Sequence, residues 1–153
     1  MSEPLSLFIP GLPVAQPRQR HTRTGHNYTP STHPVQGFKY AIANAVRVLI
    51  ETRHETLPWS SGPIYLIYKL LFPRPRALQW KKKPQLPLYH TQRPDLDNVA
   101  KAIKDALTGI VWVDDAQVAL LSGCKWICGD EETPGVQLWI SQLQEGASRD
   151  TAL

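Results

Sequence analysis

Apolar residues follow two kinds of pattern along this chain. Four stretches carry them densely or alternately: LSLFI (5–9), GPIYLIYKLLF (62–72), QVALLSGCKWIC (117–128) and GVQLWISQL (135–143). β-branched and aromatic residues are frequent there and Gly or Pro punctuates the ends, which predicts strands. Two further stretches space apolar residues at i, i+3, i+4 and i+7, the period of an amphipathic helix. The first, PVQGFKYAIANAVRVLIE, presents Phe38, Ala41, Ile42, Ala45, Val48 and Leu49. Ser31 or Thr32 is placed to cap it, and Pro34 suits its first turn. The second covers 98–108, with Leu96, Val99, Ile103 and Leu107 toward the core and Gly109 as its stop.

The order is strand, helix, strand, long arm, helix, strand, strand. The last two strands flank the turn GDEETPG (129–135) and are expected to pair as an antiparallel hairpin. This predicts a small single α+β domain with a mixed β-sheet and two main helices over residues 1–143. Residues 15–34 read as a basic loop rich in Pro, Thr and His. Residues 73–94 contain five prolines, so they form an ordered strap or a mobile arm rather than regular structure. Residues 144–153 are expected to be a frayed tail.

Composition narrows the class. A 153-residue chain with 42% apolar residues has the size and content of one globular domain. No apolar run approaches the roughly 20 residues that span a bilayer, and MSEPLSLFIPGLP lacks the basic lead of a signal peptide. A cytoplasmic protein without membrane partner is the expectation. Cys124 and Cys128 are read as free thiols. Charge is unevenly spread: residues 1–128 hold 16 of the 17 Lys/Arg and 8 of the 13 Asp/Glu, a net +8. No acid lies between Glu3 and Glu51 or between Glu55 and Asp95. Those windows include Arg18, Arg20, Arg23, Lys81, Lys82, Lys83 and Arg93, which suits a polyanionic partner as well as a merely solvated basic face. Trp80 beside the three lysines offers an indole for stacking.

Against this basic background four aspartates gather. Asp95 and Asp97 precede the second helix, and Asp114 and Asp115 precede the third apolar strand. Each has a plain structural reading. Asp95 or Asp97 could cap the helix, Asp97–Lys101 and Lys101–Asp105 stand at i, i+4 for surface ion pairs, and Asp114–Asp115 could be a polar turn. Taken together they suggest more. Pro94 keeps the helix entry extended, so carboxylates at i, i+2 can converge there. If the strand after Asp115 lies beside that entry, three carboxylates meet, and they need a hard cation between them. Such a cation in a basic protein points to metal-assisted phosphodiester hydrolysis.

The segment RPDLDNVAKAIKDALTG followed by VWVDDAQV (93–118) resembles the signature of the RusA family of Holliday junction resolvases, phage and prophage type. The N-terminal QPRQR and YTP are also similar to phage-type members, although Gln16 stands where a basic residue is often found. The resemblance implies that Asp95, Asp97 and Asp115 are catalytic metal ligands for Mg²⁺ or Mn²⁺, and that Lys101 is the catalytic lysine. It implies supporting positions for Asn98, Asp114 and Gln117, and a homodimer that cuts four-way DNA junctions by paired symmetrical nicks in recombination and repair. Arg18, Arg20, Arg23, Lys81, Lys82, Lys83 and Arg93 are the expected DNA contacts. His90, just ahead of the acids, is either near the phosphate or structural. Tyr65, Ile67, Trp126 and Trp139 are either dimer-interface or core residues. A flap or fork nuclease and a DNA-binding regulatory protein on the same fold are the alternatives. A D-x-D enzyme using a nucleotide-sugar would need a larger nucleotide-binding domain than this order of elements leaves room for.

Overall fold

IYLIYKLLF is the most continuously apolar run in the chain, and it forms the central strand of the main sheet. In a computed structural model, which describes residues 3–144 and 146, the strands are β1 (Leu5–Pro10), β2 (Arg20–His21), β3 (Asn27–Tyr28), β4 (Ile64–Phe72), β5 (Leu88–Tyr89), β6 (Val118–Ile127) and β7 (Gly135–Gln142). The helices are α1 (Pro34–Arg53) and α2 (Leu96–Leu107). The main sheet has the order β1-β7-β4-β6-β5. β4 runs parallel to β6 and antiparallel to β7; β1 is antiparallel to β7. The fold is therefore α+β with a mixed sheet, as the pattern predicts.

One pairing differs. β6 and β7 do not form a hairpin, because β4 lies between them. The link between them is long enough to step over one strand, a distance of about 10 Å. Ile64, Leu66 and Leu70 of β4 have no exposed surface, so this strand gains most from a neighbour on each edge. The parallel β4–β6 pair in turn requires a long crossover, which the arm and α2 supply.

Both helices pack on one face of the sheet. Val35, Phe38, Ile42 and Val46 of α1 join Val99, Ala102, Ile103 and Leu107 of α2 over Leu5, Leu66, Tyr68, Leu70, Leu138 and Ile140. Val48 is exposed, because it lies about 200° around the helix from Val46. The cap of α1 is neither Ser31 nor Thr32. His33 occupies that position and its Nδ1 accepts the Val35 N–H at 3.1 Å, with Pro34 in the first turn as expected. Tyr65, Ile67, Trp126 and Trp139 belong to neither buried core nor helix contact; they are half-buried on other parts of the sheet. Both cysteines are free. Among the described residues no helix is long and apolar enough to cross a membrane. The expected tail at 144–153 lies almost wholly outside the described residues.

The loop at 15–34 contains a short antiparallel ribbon, β2–β3, in which Arg20 pairs with Tyr28 and His21 with Asn27. One glycine is fixed by packing. The buried Tyr68 ring lies across Gly123, its parallel partner on β6, and a Cβ at 123 would collide with that ring. Gly123→Ala is expected to cost about 1–3 kcal/mol, because the buried ring has no free space to shift into. Urea unfolding of the variant checks this; a loss below about 0.5 kcal/mol would show that the ring is free to move.

Candidate active site

The second helix begins where Pro94 ends an extended lead. Asp95 is the cap residue by position, with φ −69° and ψ 141°, and its carbonyl accepts the Val99 N–H at 3.3 Å. Its carboxylate makes no capping hydrogen bond. Asp97 stands in the first turn. Both side chains are exposed, and neither has an ion-pair partner among the described residues. The Asp97–Lys101 and Lys101–Asp105 pairs do not form. Asp105 turns instead to Lys39, at 3.3 Å, and leaves the Lys101 ammonium open. The ion-pair readings of Asp97 and Lys101 are therefore not realised, while Asp95 holds the cap position without a side-chain capping bond.

The ground beneath the entry is built from the sheet. The Tyr68 hydroxyl donates to the Leu96 carbonyl at 3.4 Å. Its pKa is pushed up to about 12, first by burial and then by the Asp97 and Cys124 charges, so the phenol is neutral. Lys125 reaches up from β6 to the carbonyls of Gln92 and Pro94. From the other side, the Gln16 N–H donates to the Asn98 carbonyl at 3.0 Å and stitches the basic loop onto α2. This creates a polar cavity of about 440 Å³ lined by Gln16, Arg18, Gln19, His21, Asn98 and Lys101. Arg20 and Arg23 are exposed on the same loop. Asn98 thus faces a shared cavity with Lys101, one helical turn on from Asp97.

The second acid pair lies elsewhere. The Asp115 Oδ1 accepts the Thr108 hydroxyl at 2.5 Å and the Trp112 indole N–H at 3.1 Å, and Oδ2 is 3.8 Å from the Lys104 Nζ. Asp114 caps the short 3₁₀ turn at Asp115–Gln117, accepting the Ala116 N–H at 2.8 Å. The Gln117 Oε1 accepts the Val113 and Asp114 N–H groups, and its Nε2 donates to the carbonyls of Trp59 and Gly62. These residues knot the far end of α2. From Asp97 to Thr108 is about 16 Å along a helix axis. The expectation that three carboxylates meet beside the helix entry is thus not met within one chain. Among the described residues no three His, Cys, Asp or Glu side chains converge as a cation cage.

The pattern of a protein family described as Endodeoxyribonuclease RusA matches residues 10–141. The chain belongs to this family. It is also 30% identical over 145 residues to the uncharacterized protein YqaN of Bacillus subtilis (strain 168), a match covering 91% of this chain and 96% of that protein. Membership in the RusA family makes the protein an endodeoxyribonuclease and brings branched DNA into view as its substrate.

In this RusA chain the proline-rich segment is a strap tied down at both ends. The Arg74 guanidinium donates to the carbonyls of Cys128 (3.1 Å), Leu78 (3.3 Å) and Leu86. Gln85 binds the Asp130 carboxylate through its backbone N–H at 2.8 Å and its side chain at 3.0 Å. Tyr89 stacks on Trp126 and His90 on Phe72, with ring centroids 4.0 and 4.4 Å apart. Trp80 and the three lysines Lys81, Lys82 and Lys83 are exposed around a second concavity on the strap, and Arg93 is exposed at its end. The His90 ring is stacked, and burial, and then the Lys125 charge, pushes its pKa down. Tyr68, Lys125 and Thr108 are the residues that sequence patterns missed. Each acts on a partner far away along the chain or through a backbone carbonyl, and neither relation leaves a local signal.

The two acid pairs should separate cleanly in stability. Asp95→Asn and Asp97→Asn are expected to stay within about 0.5 kcal/mol of the parent, because neither carboxylate has a partner to lose. Asp115→Ala and Gln117→Ala are expected to lose about 1–3 kcal/mol each, because they strand backbone and indole donors. Denaturant unfolding of the four variants, compared at one pH, makes the measurement.

Proposed function

We propose that this protein is a homodimeric, Mg²⁺- or Mn²⁺-dependent resolvase that cuts four-way DNA junctions by paired symmetrical nicks, acting in recombination and repair in the bacterial cytoplasm. The observation that carries the reading is the open pair of carboxylates at the entry of α2, Asp95 and Asp97, with the free Lys101 ammonium one turn further on. Two hard carboxylates with no other partner among the described residues fit Mg²⁺, which is commonly held by one or two carboxylates together with substrate phosphate and water. When bound, such an ion polarises a phosphoryl oxygen and lowers the pKa of a water ligand. Lys101 stabilises the negative charge that develops on the phosphate oxygens. Arg18, Arg20, Arg23 and Arg93, with Lys81, Lys82 and Lys83 on the strap, hold the DNA arms through their phosphates.

Asp115 enters this reading through the dimer. Within its own chain it faces the far end of α2, so it reaches an Asp95–Asp97 pair only if that pair belongs to a two-fold partner. A two-fold axis supplies two such sites for a junction that is itself roughly two-fold.

Asp95→Asn and Asp97→Asn are each expected to abolish cleavage of a synthetic four-way junction in Mg²⁺ while junction binding persists, since Asn keeps the shape and loses the charge. A normal cleavage rate in either variant removes that residue from the cation site, and loss of binding alone would favour a DNA-binding role.

The shared site has its own test. Light scattering should give twice the 17.2 kDa chain mass. Asp97→Asn and Asp115→Asn proteins, each inert alone, should regain nicking when their subunits are mixed, because one intact Asp95–Asp97–Asp115 set is rebuilt across the interface. No recovery on mixing would exclude the trans role of Asp115.

A further inference from the structure

The backbone that carries Asp95 is gripped from below by a residue outside the signature segment 93–118. Lys125 lies opposite Leu70 in the β4–β6 register, and Leu70 has no exposed surface. From this position on the helix-covered face its Nζ donates to the carbonyls of Gln92 and Pro94, both at 2.7 Å. Its own carbonyl accepts the His90 N–H at 3.1 Å. One residue therefore holds the chain at 90, 92 and 94. The ammonium contacts are short and charge-assisted, the stronger class of hydrogen bond.

These contacts bracket the site closely. Pro94, held by Lys125, is the residue before Asp95, and Leu96, held by the Tyr68 hydroxyl, is the residue after it. Tyr68 lies flat because its partner on β6 is Gly123, two residues before Lys125. Both grips act on carbonyls. They fix the backbone on either side of Asp95 and leave the two carboxylates themselves free.

We infer that Lys125 is a positioning residue for the cation site. It fixes the path from Gln92 to Leu96 so that Asp95 and Asp97 are presented together to a divalent cation, and the inference rests on the two-carboxylate reading given above. Groups that orient metal ligands from behind are a large part of a site's affinity.

The test uses the full chain and Mn²⁺ alone. Mn²⁺ affinity is titrated calorimetrically without DNA, and hydrogen exchange of the Val99 amide, which closes the first turn of α2 onto Asp95, is read in the cation-free protein. Lys125→Met is expected to weaken Mn²⁺ binding about tenfold or more and to speed Val99 exchange. Lys125→Arg, which restores a cationic donor, should recover much of both. Lys69→Met is the control: Lys69 also comes from the sheet but pairs with Glu132 at 3.9 Å, and its loss should change neither reading. Unaltered Mn²⁺ affinity in Lys125→Met, or an equal loss in Lys69→Met, overturns the inference. If the parent protein binds no Mn²⁺, the cation reading of the site falls; unchanged Val99 exchange in Lys125→Met then overturns the positioning role separately. Lys125→Leu, which keeps apolar bulk without a donor, takes the place of Lys125→Met if that variant fails to fold, and the same outcomes decide.

Discussion

The parallel pairing of β4 with β6 is the constraint on which the rest of this molecule depends. Two parallel neighbours cannot be joined by a tight turn, so the chain must leave one end of the sheet and return to the other. Residues 73–117 make that return. The strap departs from the end of β4, and α2 starts above Lys125, near the end of β6, and runs back along the sheet. It stops at the knot of Thr108, Trp112, Asp115 and Gln117, from which β6 starts. The two acid pairs are therefore divided between the two ends of the crossover helix. Their separation is a direct consequence of the pairing.

The same constraint brings the groups proposed above to face DNA toward one end. The start of α2 sits over the carboxyl ends of the two parallel strands, where ligands of open α/β sheets also tend to bind. The strap leaves from that end, pinned by Arg74 to the carbonyl of Cys128 just beyond β6. The N-terminal basic loop arrives there too, tied by Gln16 to Asn98. Arg18 of that loop thus shares a cavity with Asn98 and Lys101 of α2, next to the two exposed aspartates. On the proposed reading, a phosphate-bound cation reconciles the two signs of charge.

Polar side chains in the family-like segment divide by whether folding uses them. Asp105 meets Lys39; Asp114 and Gln117 form a capping box; Asp115 receives a hydroxyl and an indole N–H. Asp95, Asp97 and Lys101 receive nothing comparable. Both carboxylates stand exposed at the helix entry, where the helix N-terminus favours negative charge. Residues kept in that state are available to a ligand, whereas those at the knot are already occupied in holding β6 to α2.

Much of this was legible along the chain. Hydrophobic period marks β1, β4, β6, β7 and both helices, because side-chain direction repeats every two residues in a strand and about every 3.6 in a helix whatever the rest of the molecule does. The D-L-D-N segment, Pro94 and the following apolar stripe place two aspartates at a helix entry for the same local reason, and its likeness to the RusA signature agrees with the match over residues 10–141. Strand order was not legible. A seven-residue link between two apolar strands reads as a hairpin, and only competition for the flanks of β4 puts β6 and β7 on opposite sides of it. The cap at His33 was hidden because Ser31 and Thr32 are the commoner capping residues. The distance between Asp97 and Asp115 depends on which way α2 runs over the sheet, and the grip of Lys125 on Gln92 and Pro94 joins residues more than 30 positions apart. Local pattern determines which face of an element is apolar. Which elements become neighbours, and hence which charges meet, is decided by burial summed over the whole sheet, and that sum exists only in the folded molecule.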